Sequence, residues 1–549
     1  MLRTPAWVLA CLALALPLLI PVVVVAASIF SPAGEAWAHL ASTVLPRYIS
    51  TTLILMAAVL AGVCVVGVGT AWCVTAFEFP GRRVLEWALL LPLAVPAYVI
   101  AYAYTDWLQF SGPVQTWIRA AAGWERGDYW FPEIRSVGGA AAMFVFVLYP
   151  YVYLLTRVAF IEQSPSLAEA GRTLGLSGRA TFFRLSLPMA RPAIAAGAAL
   201  ALMETLSDFG TVSYFGEQTF TTGIFRAWLS MGEPDSAAKL SMILLAFVGA
   251  VIALERFARR RARFDDPHRK ARRSPRVLRG AAAAAALGAC AAPLVLGFVV
   301  PLILLARMSL ASGDAQFGPR FARMASNSAT LAAITAVLAV ALALLLAYAA
   351  RLSRSPLAAG VNRVAALGYA VPGAVIAIGI LIPVTRIDHA LADAGFASRV
   401  VLTGSIAVLV YAYLIRFLGV ALQTVEAGLA RVTPHMEDAA RSLGMGAGAT
   451  LARVHAPMLR SSLVTAALLV FVDVMKELPA TFVMRPFNFD TLAVQAYNLA
   501  ADERLAEAST ASLAIVAVGL LPVILASRRL VRPDSTNRAA VGAGAPAGA

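Results

Sequence analysis

Apolar residues in this chain come in runs of about 20, the length a helix needs to cross a hydrocarbon layer. Twelve runs can be read, near 7–28, 51–76, 85–106, 138–160, 191–207, 239–255, 280–306, 329–350, 364–384, 400–422, 461–475 and 508–526. Runs 191–207 and 461–475 are short and interrupted. Between the fourth and fifth runs the pattern turns polar, in EAGRTLGLSGRATFFRLSLP from Glu169 to Pro188. It does so again between the tenth and eleventh, in DAARSLGMGAGATLARVHAP from Asp438 to Pro457, 269 residues later.

Composition fixes the class. The 549 residues are 60% hydrophobic and 14% charged, against about 25% charged in soluble domains. The expectation is an all-α polytopic membrane protein with about twelve transmembrane helices. The net charge of +15 raises nucleic acid as a partner, and its placement argues against one. With the N-terminus inside and twelve alternating spans, most Lys and Arg fall in cytoplasmic segments, the bias that orients membrane helices. Both termini are then cytoplasmic and the bilayer is the partner. Cys11, Cys64, Cys73 and Cys290 lie inside apolar runs and read as small buried hydrophobes. Neither they nor the five scattered histidines form a metal pattern. The first run is long for a cleaved signal and reads as a retained first span.

Residues 256–279 hold eleven Arg and Lys against two Asp, a cytoplasmic linker whose charge needs no partner beyond lipid headgroups. It separates a six-span unit at 1–255 from another at 280–532, and a Gly-Ala-Pro tail follows at 533–549. The 269-residue offset also maps Glu204 onto Asp473, Asp208 onto Glu477, Phe220 onto Phe489 and Thr222 onto Thr491. AVPAYVIA around Pro96 answers AVPGAVIA around Pro372. An even number of spans per half makes the repeats parallel, related by an axis along the membrane normal, an arrangement used for transport pathways.

Each polar segment predicts a helix, a turn and a second short helix. Ser164 or Ser166 suits the N-cap, with Pro165 in the first turn and Glu169 at capping-box spacing from Ser166. Gly175 suits the left-handed residue that stops the helix, and the second helix is expected to end before Pro188. Thr433, Pro434, Gly444 and Pro457 repeat the pattern. A pair of short helices on the inner face is a docking element, and two copies make two.

These residues carry a resemblance. Glu169, Ala170, Gly171, Gly175 and Pro188, with Leu185 and Leu187, resemble the EAA loop of inner-membrane permeases of bacterial ATP-binding-cassette importers. Asp438, Ala439, Ala440, Gly444 and Pro457 are similar, with Asp438 where glutamate is usual, Glu437 before it, and Ala456 in place of leucine. The resemblance implies a fused two-unit permease of the bacterial inner membrane. It implies two copies of an ATPase subunit, one docked on each loop, and a periplasmic substrate-binding protein. No nucleotide-binding Gly-x4-Gly-Lys-Ser/Thr loop and no catalytic constellation is found in the sequence. The chain is therefore expected not to be an enzyme and to hold no cofactor, ATP being used by the partner. Segments 96–115 and 208–228 resemble fused permeases of ferric-iron importers; related ones serve thiamine or phosphonates. A twelve-span secondary transporter would share the span count but not the two docking segments.

Two further sets of residues bear on the path. Tyr98, Tyr102 and Tyr104, with Asp106 beyond, lie at the outer end of the third run and read either as oxygen ligands for a hard cation such as ferric ion or, the more ordinary reading, as an interfacial aromatic belt. Glu204 and Asp208, four apart, are expected on one helix face, and Asp473 and Glu477 repeat the pair. Acids inside a membrane usually face the protein interior or water, so the pairs are candidates for the translocation path of a cation. The alternative is a role at the outer rim, satisfying loop backbone or pairing with Lys476.

Overall fold

The computed structural model describes residues 5–32, 34–163, 173, 175–260, 275–311, 318–353, 355–396, 401–430 and 432–531. Among these, eleven helices are long and apolar enough to cross a membrane, and a bent pair makes a twelfth. In the first half they are α1 (Pro5–Ala27), α2 (Leu45–Ala76), α3 (Arg82–Ala94 with Ala97–Ala122), α4 (Val137–Glu162), α5 (Gly178–Ser207) and α6 (Pro234–Arg260). In the second they are α7 (Ala281–Ala311), α8 (Pro319–Ser353), α9 (Gly373–Leu391), α10 (Ile406–Leu429), α11 (Ala447–Met475) and α12 (Leu505–Val531).

The third span of each half is broken, not continuous as its hydropathy suggests. The two arms of α3 meet at 90°. The residue before each proline is extended, Val95 at φ −100° and ψ 118° and Val371 at φ −78° and ψ 123°. Proline clashes with an α conformation in the residue before it, so the repeated Ala-Val-Pro fixes both breaks. The first arm in the second half is Pro356–Ala366.

The fifth spans depart from expectation in the opposite sense. The short helix after Gly175 does not stop before Pro188; it runs on into α5, and its counterpart runs past Pro457 into α11. A proline inside a helix lacks a donor and presses on the carbonyl four residues back. Here a π turn precedes each one, Phe182–Ser186 and Leu451–His455. In these turns Leu187 N–H bonds to Phe182 O and Ala456 N–H to Leu451 O, five residues back. The extra residue per turn makes room for the ring.

The halves interlock. The α1 helix packs on the second half: Pro21 leaves the Pro17 carbonyl without its helical donor, and the Tyr411 hydroxyl of α10 donates to it. The α7 helix packs on the first half, where Tyr104 Oη donates to Leu296 O at 2.8 Å. Contacts also sort the loops to two ends. At one, β1 (Phe77–Glu78) after α2 pairs in parallel with β2 (Arg276–Val277) before α7, and Arg351 of α8 reaches Leu429 O. At the other, Arg135 pairs with Glu503 at 2.7 Å and Lys239 Nζ donates to Pro32 O at 2.9 Å. Alternating spans require this grouping.

Candidate functional site

The second polar loop is fully built from Pro434 onward. The helix Pro434–Ser442 ends in Gly444, whose φ of +76° is the left-handed region that favours glycine. Gly444 N donates to Arg441 O at 3.0 Å and Met445 N to Ala440 O at 3.0 Å, closing the turn. Gly175 has φ +70°, so both turns share the conformation their sequences imply. Glu169, Ala170 and Gly171, with Ser164 and Ser166, lie outside the described residues. Pro188 and Pro457 stand just after the π turns, within α5 and α11.

The acids of this loop divide. Asp438 is exposed and bonds to Arg441 at 2.8 Å. Glu437 is buried and accepts from Arg351 Nε of α8 at 2.5 Å, with His455 Nε2 at 3.4 Å. Arg351 also donates to Leu429 O and Val432 O, at 2.5 and 2.6 Å. This cluster ties the loop helix to α8, α10 and the start of α11 at once. Sequence comparison of the two loops assigned the acidic position to Asp438; the tether is Glu437, and Arg351 and His455 were missed. The only signal for Glu437 was an acid one residue early. Leu443 at the tip is 80% exposed. Removing one member of a buried charge pair costs about 3–5 kcal/mol. Arg351→Met is therefore expected to loosen the loop, seen as faster proteolysis between 430 and 446 and reduced transport; unchanged cleavage would contradict the tether.

The four candidate path acids come together around one cavity of about 110 Å³ between the halves. They do not do so as a paired helix face. The α5 helix ends at Ser207, and Asp208 is extended at φ −70° and ψ 139°. Its carboxylate caps the short helix Gly210–Tyr214, accepting from Thr211 N at 2.9 Å and Val212 N at 3.2 Å. Glu477 does the same for Pro479–Met484, accepting from Ala480 N at 2.9 Å and Thr481 N at 3.0 Å. Asp473 pairs with Lys476 at 3.0 Å. Glu204 accepts from Tyr369 Oη across the half-to-half boundary at 2.9 Å. So Asp208 and Glu477 satisfy backbone, as the rim alternative held, yet they face the same cavity as Glu204 and Asp473. Among the described residues no three His, Cys, Asp or Glu converge as a metal cage.

The tyrosines are not a lipid-facing belt. Tyr98, Tyr102 and Tyr104 are 4%, 1% and 3% exposed, because the break at Pro96 turns the second arm of α3 into the protein. Tyr98 lines the cavity and its hydroxyl lies 3.4 Å from Lys476 O. Beside the cavity Phe209 packs on Phe482 and Tyr497, with ring centres 5.6 and 5.4 Å apart. Sequence reasoning also missed Arg416 of α10, which lines the cavity.

A bundle of spans with a polar cavity between two interlocked halves and exposed loops at one end has the make-up of a solute pathway. Comparison with known proteins gives the class: residues 63–263 match the binding-protein-dependent transport system inner membrane component family. The chain carries this match in its first half, from within α2 to past the end of α6. It is 26% identical over 482 residues to the Fe(3+)-transport system permease protein FbpB 2 of Haemophilus influenzae, covering 87% of this chain and 88% of that one. A probable sulfate transport system permease protein of Chlorokybus atmophyticus is 33% identical over 156 residues, 27% of this chain and 48% of that one. The molybdenum transport system permease protein ModB of Escherichia coli K12 is 29% identical over 208 residues, 36% of this chain and 87% of that one.

Proposed function

We propose that this chain is the inner-membrane pathway of an importer that carries ferric iron, delivered by a periplasmic binding protein, into the cytoplasm. The observation that carries the substrate is the collinear likeness to a ferric-iron permease over 87% of the chain; the sulfate and molybdenum relatives align over 27% and 36% of it. Four carboxylates around the cavity suit a hard cation. Two copies of an ATPase subunit dock on the loops around Gly175 and Gly444, and the energy for transport comes from them. A second reading, oxyanion import, is favoured by Arg416 and Lys476 in the same cavity. Vesicles reconstituted with the permease, its ATPase and its binding protein separate the readings. ATP-dependent uptake of ferric iron is expected, and uptake of sulfate, molybdate, thiamine or phosphonate in its place would refute iron.

The orientation follows from charge. Both polar loops and the 256–279 linker are proposed to face the cytoplasm, with both termini on that side. Single cysteines introduced at Gly178, His268 and Gly446 of a cysteine-free variant test it. Protection from a membrane-impermeant thiol reagent in intact cells, and labelling after permeabilisation, is the expected result. Labelling in intact cells would reverse the topology.

A further inference from the structure

Arg416 is the one cation lining the cavity that makes no hydrogen bond or ion pair among the described residues. It projects from α10 into the cavity between the halves. It is 8% exposed, and its Nε and Nη1 are shielded from solvent with no hydrogen-bond partner. Among the described residues it closes no ion pair, and the Glu477 carboxylate is the acid that stands nearest beside Gly373. Its one recorded partner is the Phe417 ring, 5.7 Å from the guanidinium carbon. A buried guanidinium without acceptors is costly, and an ionisable group at membrane depth without a partner marks a functional site.

The nearby carboxylates are already engaged. Glu477 accepts from Ala480 N, Thr481 N and Thr481 Oγ1. Asp473 holds Lys476, Asp208 holds its own short helix, and Glu204 holds Tyr369. Gly373, at the start of α9, lets the guanidinium and the Glu477 carboxylate approach its backbone closely. A Cβ there would sit 2.8 Å from Arg416 Nη1 and 2.8 Å from Glu477 Oε1. The repeat does not explain Arg416 either. At the 269-residue offset Val147 stands for Arg416 and Ser207 for Lys476, and both line the cavity. Both cations therefore come from the second half alone, which breaks a symmetry the four acids keep.

We propose that Arg416 anchors an oxyanion site in this cavity, taking a phosphate or carboxylate group with Lys476 beside it. The inference rests on the reading of the chain as the route for ferric iron. On that reading the metal crosses with an oxyanion ligand still attached: planar guanidinium donors match a two-oxygen acceptor, and Glu204 and its companion acids face the metal. A free inorganic oxyanion and a metal-bound carboxylate chelator share this chemistry, and the experiment separates them.

The full-length permease in nanodiscs is titrated with labelled inorganic phosphate and with labelled citrate, each with and without ferric iron. Saturable binding is expected. Arg416→Met is expected to weaken it roughly ten- to hundredfold, the range of a charge-assisted hydrogen bond, and Arg416→Lys to weaken it less. Gly373→Val, which displaces the guanidinium and keeps the charge, is expected to weaken it as well. It serves in place of Arg416→Met should that variant elute as aggregate. Binding absent from the wild type, or unchanged in Arg416→Met and Gly373→Val, overturns the site. In vesicles of the complete importer, iron entering together with labelled citrate or phosphate confirms the complex and names the ligand. Iron entering with neither label overturns the ligated cargo and leaves the iron reading intact. A labelled oxyanion entering without iron, in an Arg416-dependent way, upholds the site and refutes iron.

Discussion

A Gly444→Pro variant is expected to reach the membrane in normal amount and to lose transport almost completely. Gly444 sits at φ +76°, and proline is locked near −65°. Its N–H also closes the turn onto Arg441 O, and proline has no such donor. Together these cost about 3 kcal/mol or more, enough to reduce the population of the built turn by more than about a hundredfold. The loss is confined to the loop because nothing packs within 4 Å of the position. Gly175→Pro meets the same obstacle in the first loop, at φ +70°. Uptake by the reconstituted importer measures the effect. Normal uptake in both variants would remove the loops from the coupling route.

The second large effect concerns the cavity. Glu204→Gln combined with Asp473→Asn is expected to reduce ferric uptake by about a hundredfold or more, the loss of two carboxylate contacts at about 1.5–3 kcal/mol each. These two were chosen because neither caps a helix. Asp208→Ala and Glu477→Ala act differently. Each removes the cap of a short helix, and each is expected to lower stability by about 0.5–2 kcal/mol, visible as earlier thermal unfolding in detergent. Full iron uptake by the Glu204→Gln, Asp473→Asn variant would show that the acids line the cavity without serving the path.

The helices were legible because a membrane leaves the sequence little choice. Backbone groups in hydrocarbon must be satisfied within the segment, so runs of apolar residues become helices, and the structure returns eleven of them with a bent twelfth. What hydropathy could not resolve was where those helices bend. Val95–Pro96 and Val371–Pro372 break a span, whereas Pro188 and Pro457 do not. The difference lies in the preceding turn, where the π geometry at Phe182–Ser186 and Leu451–His455 accommodates the ring, and no residue type announces it. The turn glycines were legible for the converse reason, since a left-handed position after a capped helix strongly favours one residue. The path acids were half legible. Their repeat marked them, but four-residue spacing implied a helix face that ends at Ser207. Arg416 was invisible, because one arginine in an apolar run carries no pattern.

The repeat underlies the proposal of two docking loops on one chain, each seating one ATPase subunit. Native mass spectrometry of the importer, purified through a tag on the permease, counts them directly. The account predicts one permease chain with two ATPase subunits, reduced to one by Gly444→Pro. A wild-type complex holding a single ATPase subunit, or none, would contradict it.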